Sequence, residues 1–207
     1  ALPAALACAL GAGAARPLRA LGAGGEPIRI GVSGPFTGGS SPMGISMREG
    51  IRIAAGLINA RGGVLGRELE LVERDDQADN KRGARIAEEL VHKEGIVAAL
   101  GIVNTGVALA SQRHYQLARI PMITAVATGS LVTRQFLPPE FADNYIFRVS
   151  ANDSLQAQVI VDEAVTRRGL QRLAIFHDAT NYGVLGSEDL TTALHQRGLA
   201  AVIIERF

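Results

Sequence analysis

Residues Ile58–Asp76 read INARGGVLGRELELVERDD, and the order of residue types in this stretch decides the fold. Arg61-Gly62-Gly63 ends a helix, because glycine accepts the left-handed backbone that closes a helix C-terminus. Glu68–Glu73 (ELELVE) then alternates polar and apolar residues with the period of a strand, and an acidic loop follows it. Working backwards, Ile51, Ala54 and Ile58 place the helix from about Gly44 to Ala60, and a loop rich in Gly, Ser and Pro precedes it. Before that loop, Ile28–Val32 (IRIGV) is a β-branched run that reads as a buried strand. Working forwards, Ala84, Ala87, Leu90 and Val91 mark a second helix and Val97–Leu100 a third strand. Val107–Ala118 is a third helix and Pro121–Ala125 a fourth strand. Strand and helix in alternation give an α/β fold with a parallel, doubly wound sheet. Such sheets bind ligands beyond the carboxyl ends of their strands. The loops Gly34–Gly44, Gly101–Gly106 and Val126–Ser130 are therefore expected at a site.

The rhythm breaks over Leu131–Asn144, with Pro138-Pro139 inside it, and then restarts. Tyr145–Val149 and Leu173–Phe176 read as strands, with Ala157, Ile160, Val161 and Ala164 marking a helix between them. A helix over about Leu185–Gln196 and a strand over Ala201–Glu205 follow. The expected division is a leader at 1–26, a first lobe at 27–126, and a crossover with the start of a second lobe at 127–207.

With 47% hydrophobic and 20% charged residues, the composition suits a packed globular protein. A net charge of +1 gives no electrostatic case for nucleic acid or an anionic membrane as partner. The single cysteine, Cys8, excludes an intrachain disulfide and a cysteine-built metal site. Ala1–Ala15 (ALPAALACALGAGAA) is a run of small apolar residues too short to span a bilayer. It matches the apolar region of a secretory signal, with Ala12-Gly13-Ala14 as a cleavage site and its basic start missing. The alternative is an apolar helix kept in the mature protein. Ala5 stands where a lipid-attachment motif ending at Cys8 would carry Leu, so Cys8 reads as part of the apolar run.

Chemistry-bearing residues collect at the three loops. Asn104 and Thr105 precede the Val107 helix, where free backbone N–H groups, a hydroxyl and an amide make a seat for a carboxylate. From residue types alone, a plain helix cap fits equally well. Thr128 follows the fourth strand and Tyr182 the Leu173–Phe176 strand, and each has a bland alternative as a turn or loop anchor. Asp75, Asp76 and Asp79 lack the glycine and terminal Glu of a calcium loop and read as a solvated loop. His92, His114, His177 and His195 stand apart, without zinc spacing. No serine elbow, phosphate loop or dinucleotide fingerprint occurs in its required place. No catalytic residue, metal or cofactor is expected.

Three motifs in order, GPFTG (Gly34–Gly38), Ile58–Asp76 and NTGVALAS (Asn104–Ser111), make the chain from about Ile28 to Phe207 resemble the leucine/isoleucine/valine-binding proteins. These are periplasmic solute-binding proteins of branched-chain amino acid ABC importers. The resemblance implies a type I periplasmic-binding-protein fold of two doubly wound lobes, between which the chain crosses three times. This chain then corresponds to roughly the N-terminal half or more, with the return to the first lobe lying beyond it. The resemblance places Thr105 on the ligand carboxylate. It places Val126, Ala127 and Thr128 where the family's small-Ala-Thr motif meets the α-amino and carboxylate groups. Tyr182, followed by Gly183, corresponds to the tyrosine that closes over the ligand from the second lobe. Two positions depart from the pattern: Met43, where leucine-binding members carry Tyr, and Asn104, where small residues are typical. The family's acidic partner for the ligand ammonium would lie beyond Phe207.

The implied function is the periplasmic binding component of an ABC importer, a monomer when complete that docks on a membrane permease. Its ligand is a branched-chain or other small amino acid, or a small carboxylate, aromatic acids included. The same fold also serves as the ligand-sensing domain of a receptor or regulator, which is the alternative. A transmembrane or output domain would favour that alternative.

Overall fold

Among the described residues, seven strands and five α-helices build two units. A computed structural model describes residues 25–207. The leader expected at Ala1–Ala15, with Cys8, lies outside the described residues. The first sheet holds β1 (Ile28–Gly34), β2 (Leu69–Asp75), β3 (Ala98–Gly101), β4 (Met122–Thr124) and β5 (Ile146–Arg148). All neighbours are parallel, in the order β2-β1-β3-β4-β5. The second sheet pairs β6 (Ala174–His177) with β7 (Ile203–Arg206), also parallel.

Helices α1 (Ser41–Ala60), α2 (Asn80–His92) and α3 (Thr105–Ala118) connect the first four strands. Gly62 and Gly63, at φ of 97° and 73°, close α1 as the glycine pair predicts. Ile86, Ala87 and Leu90 of α2 and Val107, Ala108 and Tyr115 of α3 form one core with Val72, Ala99, Met122 and Ile146 of the sheet. The opposite face is covered less. Between α1 and Ile30, Leu71 and Leu100 runs an apolar groove of about 750 Å³, and Ile53 and Leu57 of α1 are exposed.

The second unit begins with α4 (Asp153–Val161), which continues as a π-helical turn over Asp162–Arg167, and includes α5 (Asn181–His195). Ala157, Val161, Ile175, Ala193 and Leu194 make its small core.

Two expectations change. The strand at Tyr145–Val149 was assigned to the second lobe, yet β5 adds to the free edge of β4 and buries Ile146 in the first core. The irregular segment before it also fills that core. Phe136 and Phe141 stack edge to face there, 5.1 Å between ring centres. The first sheet thus extends to Arg148, and the break in rhythm is an excursion within one unit, not its boundary.

The acidic loop is solvated only in part: Gln77 and Asp79 are exposed, but Asp76 is not. Asp76 is fully buried, accepting from Ser33 Oγ at 3.2 Å and from the Ala78 N–H at 2.9 Å. Asp79 caps α2 through the Arg82 N–H at 2.6 Å. Asp75 takes the Phe36 N–H at 2.7 Å and the Thr37 hydroxyl at 2.6 Å, tying the loop after β1 to the end of β2.

Candidate functional site

The carboxyl ends of β1, β3 and β4 open on a cleft of about 980 Å³. Met43, Asn104, Thr105, Val126 and Thr128 from the first unit line it, and Tyr182 lines it from the second. The structure thus brings together six of the seven residues singled out in the sequence. Ala127 is the exception: it is buried and its N–H points to Ile102 O at 3.3 Å, away from the cleft lining.

The backbone between β3 and α3 is forced into its path. Gly101 sits at φ 133°, and any side chain there would strike Ser33 O on the neighbouring strand. Ile102 follows at φ 63°, an unusual conformation for a β-branched residue, held because the side chain is fully buried. This double turn delivers Asn104 and Thr105 to the cleft.

Asn104 occupies the cap position of α3 but does not cap it. Its Nδ2 donates to Ser40 Oγ at 3.3 Å, and its Oδ1 is buried without a partner. Asp79 and Thr180, by contrast, cap α2 and α5 with their side chains. The amide ends of α3 are therefore left without a side-chain acceptor, in a helix whose dipole favours an anion at that end. Thr105 is buried, its Oγ1 accepting from the Gly129 N–H at 3.3 Å, so it ties the two first-unit loops together.

Three helix starts converge here. A Cβ placed on Gly106 of α3 would lie 2.6 Å from Asn80 Oδ1 of α2 and 2.8 Å from Asn181 Oδ1 of α5. The helix starting at Asn181, four residues ahead of the expected Leu185, carries Tyr182 in its first turn and not in a loop. Tyr182 and Met43 are about half exposed, at 52% and 53%, so each has a free face toward the cleft.

Sequence reasoning missed Ser40, Asn80, Lys81 and Asn181, which also line the cleft. Lys81 adds a cation, and Asp178 an anion whose pKa is held low by the Thr180 hydroxyl and N–H. The cue for Asn80 and Asn181 was present: Asp79 and Thr180 are good N-cap residues. Among the described residues, no cluster of three or more His, Cys, Asp or Glu side chains could hold a metal ion. No helix among them is long and apolar enough to cross a membrane.

Residues 27–207 match the family model described as periplasmic binding protein. The chain belongs to that family. Among curated periplasmic binding proteins, it is 30% identical over 175 residues to a Leu/Ile/Val-binding protein homolog of Brucella melitensis, covering 84% of this chain and 46% of the relative. It is 32% identical over 179 residues to an amino acid binding protein of Pseudomonas aeruginosa, covering 86% and 46%. The crystal structure of a leucine binding protein from Thermotoga maritima superposes with a TM-score of 0.73 at 28% identity, over 87% of this chain and 48% of that one. The chain spans about half the length of the curated relatives it matches. The parallel sheet with helices on both faces is the type I architecture of these binding proteins.

Proposed function

We propose that this chain is part of an exported solute-binding protein that delivers a small carboxylate-bearing solute, an amino acid foremost, to an ABC permease. The observation that carries the reading is the start of α3. It lacks a side-chain cap, so its first backbone N–H groups have no side-chain acceptor, and it faces a cleft that both units line. A ligand carboxylate would accept from the free amides and the Thr105 and Thr128 hydroxyls, while Tyr182 covers it from the second unit. Closure of two units over the solute by a hinge is the mode such a cleft suits. The protein acts without catalysis and as a monomer. The Leu/Ile/Val-binding relatives support an aliphatic amino acid as ligand. Met43, flexible and without a hydroxyl, widens the side-chain pocket.

The test uses the complete gene product, recovered shortened from the periplasmic fraction and titrated calorimetrically with aliphatic amino acids and with aliphatic and aromatic carboxylates. Thr105→Ala is expected to weaken binding by about 1–3 kcal/mol, the loss of a hydrogen bond to a charged group. If Thr105→Ala and Thr128→Ala both leave the affinity of a bound ligand unchanged, the site is elsewhere. Recovery of the full-length, unshortened protein from the cytoplasm counts against export.

A further inference from the structure

Serine and asparagine are among the residues that best cap a helix. Ser40 stands at the cap position of α1 and Asn104 at that of α3, yet neither side chain caps its helix. The other three α-helices among the described residues are capped by side chains, those of Asp79, Asn152 and Thr180. Asn152 accepts from the Leu155 N–H at 2.8 Å, so an asparagine of this chain can take the role. Ser40 and Asn104 turn to each other instead. Asn104 Nδ2 donates to Ser40 Oγ at 3.3 Å, across 64 residues of sequence. That bond is longer than the usual value of about 2.9–3.0 Å, so the two side chains hold each other weakly.

The pair has hydrogen-bonding capacity that it does not use. Asn104 Oδ1 is shielded from solvent and has no partner. Ser40 Oγ accepts from Asn104, and its own hydroxyl proton meets no acceptor among the described residues. At least one acceptor and one donor are thus left over. Turning the amide over gives the same result: Ser40 would donate to Oδ1, leaving Nδ2 as the donor and Ser40 Oγ as the acceptor. A buried polar atom without a partner is costly unless something else completes it. Both residues line the cleft, beside Met43, Val103 and Val126, whose side chains offer no donor or strong acceptor to either group.

We propose that Ser40 and Asn104 together read the side chain of the solute, and that this side chain ends in a carboxamide. A carboxamide carries its acceptor and its donors on two separate atoms, so it meets both residues at once. A hydroxyl must serve both from a single oxygen. An aliphatic side chain closing over the pair would seal both groups away from water unpaired. The inference rests on the reading of the start of α3 as a carboxylate seat. A solute whose carboxylate sits at Thr105 lies beside Asn104, the preceding residue, and in the same cleft as Ser40.

The experiment titrates the full-length protein calorimetrically with two pairs of like shape: L-asparagine against L-leucine, and L-glutamine against L-homoleucine. The pairs place the carboxamide at two distances from the carboxylate. In the wild type, the carboxamide member of at least one pair is expected to bind about 10- to 100-fold more tightly than its aliphatic partner, because the partner leaves buried polar groups unpaired. Asn104→Leu, which puts methyl groups where the amide was, is expected to abolish that preference. Ser40→Ala is expected to reduce it by about 3- to 10-fold, the loss of one hydrogen bond between neutral groups. Equal or tighter binding of both aliphatic members by the wild type overturns the inference. So does a preference that survives either substitution, or binding of none of the four. Thermal melting checks that each variant folds, and Asn104→Ala is the second variant if Asn104→Leu does not. Thr105→Ala separates the two readings. If it weakens L-leucine while the wild type prefers L-leucine to L-asparagine, the carboxylate seat stands and the carboxamide site falls. If it leaves the affinity of every bound amino acid unchanged, the seat itself is wrong and the inference falls with it.

Discussion

At the scale of single residues, the chemistry of Asp75, Asp76 and Asp79 is spent on the backbone. Asp75 accepts the Phe36 N–H of the loop after β1 and the Gln77 N–H, Asp76 the Ala78 N–H, and Asp79 the Arg82 N–H in the first turn of α2. The two neighbours titrate in opposite directions. Burial opposes ionisation of Asp75, but the Thr37 hydroxyl and the Phe36, Gln77 and Thr37 amides outweigh it and hold its pKa below 3.8. Burial dominates at Asp76 and raises its pKa. The stability that Asp75 contributes is present above the ordinary value of 3.8 and is lost as pH falls through its lower folded value. Asp76 contributes with the opposite sign, since folding favours its protonated form. Asp75→Asn should therefore destabilise the full-length protein by about 1 kcal/mol at neutral pH, the cost of weakened hydrogen bonds at a partly exposed site. The difference from wild type should shrink as pH falls through the lowered folded pKa of Asp75, below which both carry a neutral side chain. Urea unfolding across that pH range measures it. A constant difference at every pH would mean that the charge on Asp75 is irrelevant.

At the scale of elements, what could be read from the sequence was local. The glycine pair at Gly62-Gly63 and the alternation of Glu68–Glu73 report on neighbours within a few residues, so the order of the first four strands and three helices was legible. The loops at the strand ends followed from that order, which is why six candidate residues meet at one cleft. What could not be read depends on distant partners. Nothing in Tyr145–Val149 says which sheet edge it reaches; only the free edge of β4 and the packing of Phe136 and Phe141 decide it. The early start of α5 lies between these cases. Thr180 was a cap signal, but Asn181-Tyr182-Gly183 has weak helix propensity and hid it.

At the scale of the whole molecule, the described residues expose much apolar surface. The groove along α1 has exposed Ile53 and Leu57 beside it, and the second unit exposes Val159 and Phe176, at 61% and 68%. Surfaces of this extent mark contact with further polypeptide or another molecule. The 207-residue chain produced alone should therefore bind a hydrophobic dye strongly, and the full-length product weakly. Equal, low dye binding by both would show that these surfaces need no cover. Gly106 has a consequence of its own at this scale. Its bare Cα faces Asn80 of α2 and Asn181 of α5, so a Cβ there would meet both units at once. One methyl group would act there as a shim between two jaws. Gly106→Ala should hold the jaws slightly apart, leaving the groups that seat a solute intact. Solute should then enter at nearly the same rate and escape faster, a change that stopped-flow release kinetics would register. The stopping distance of the bite would thus be set by the one side chain that is missing.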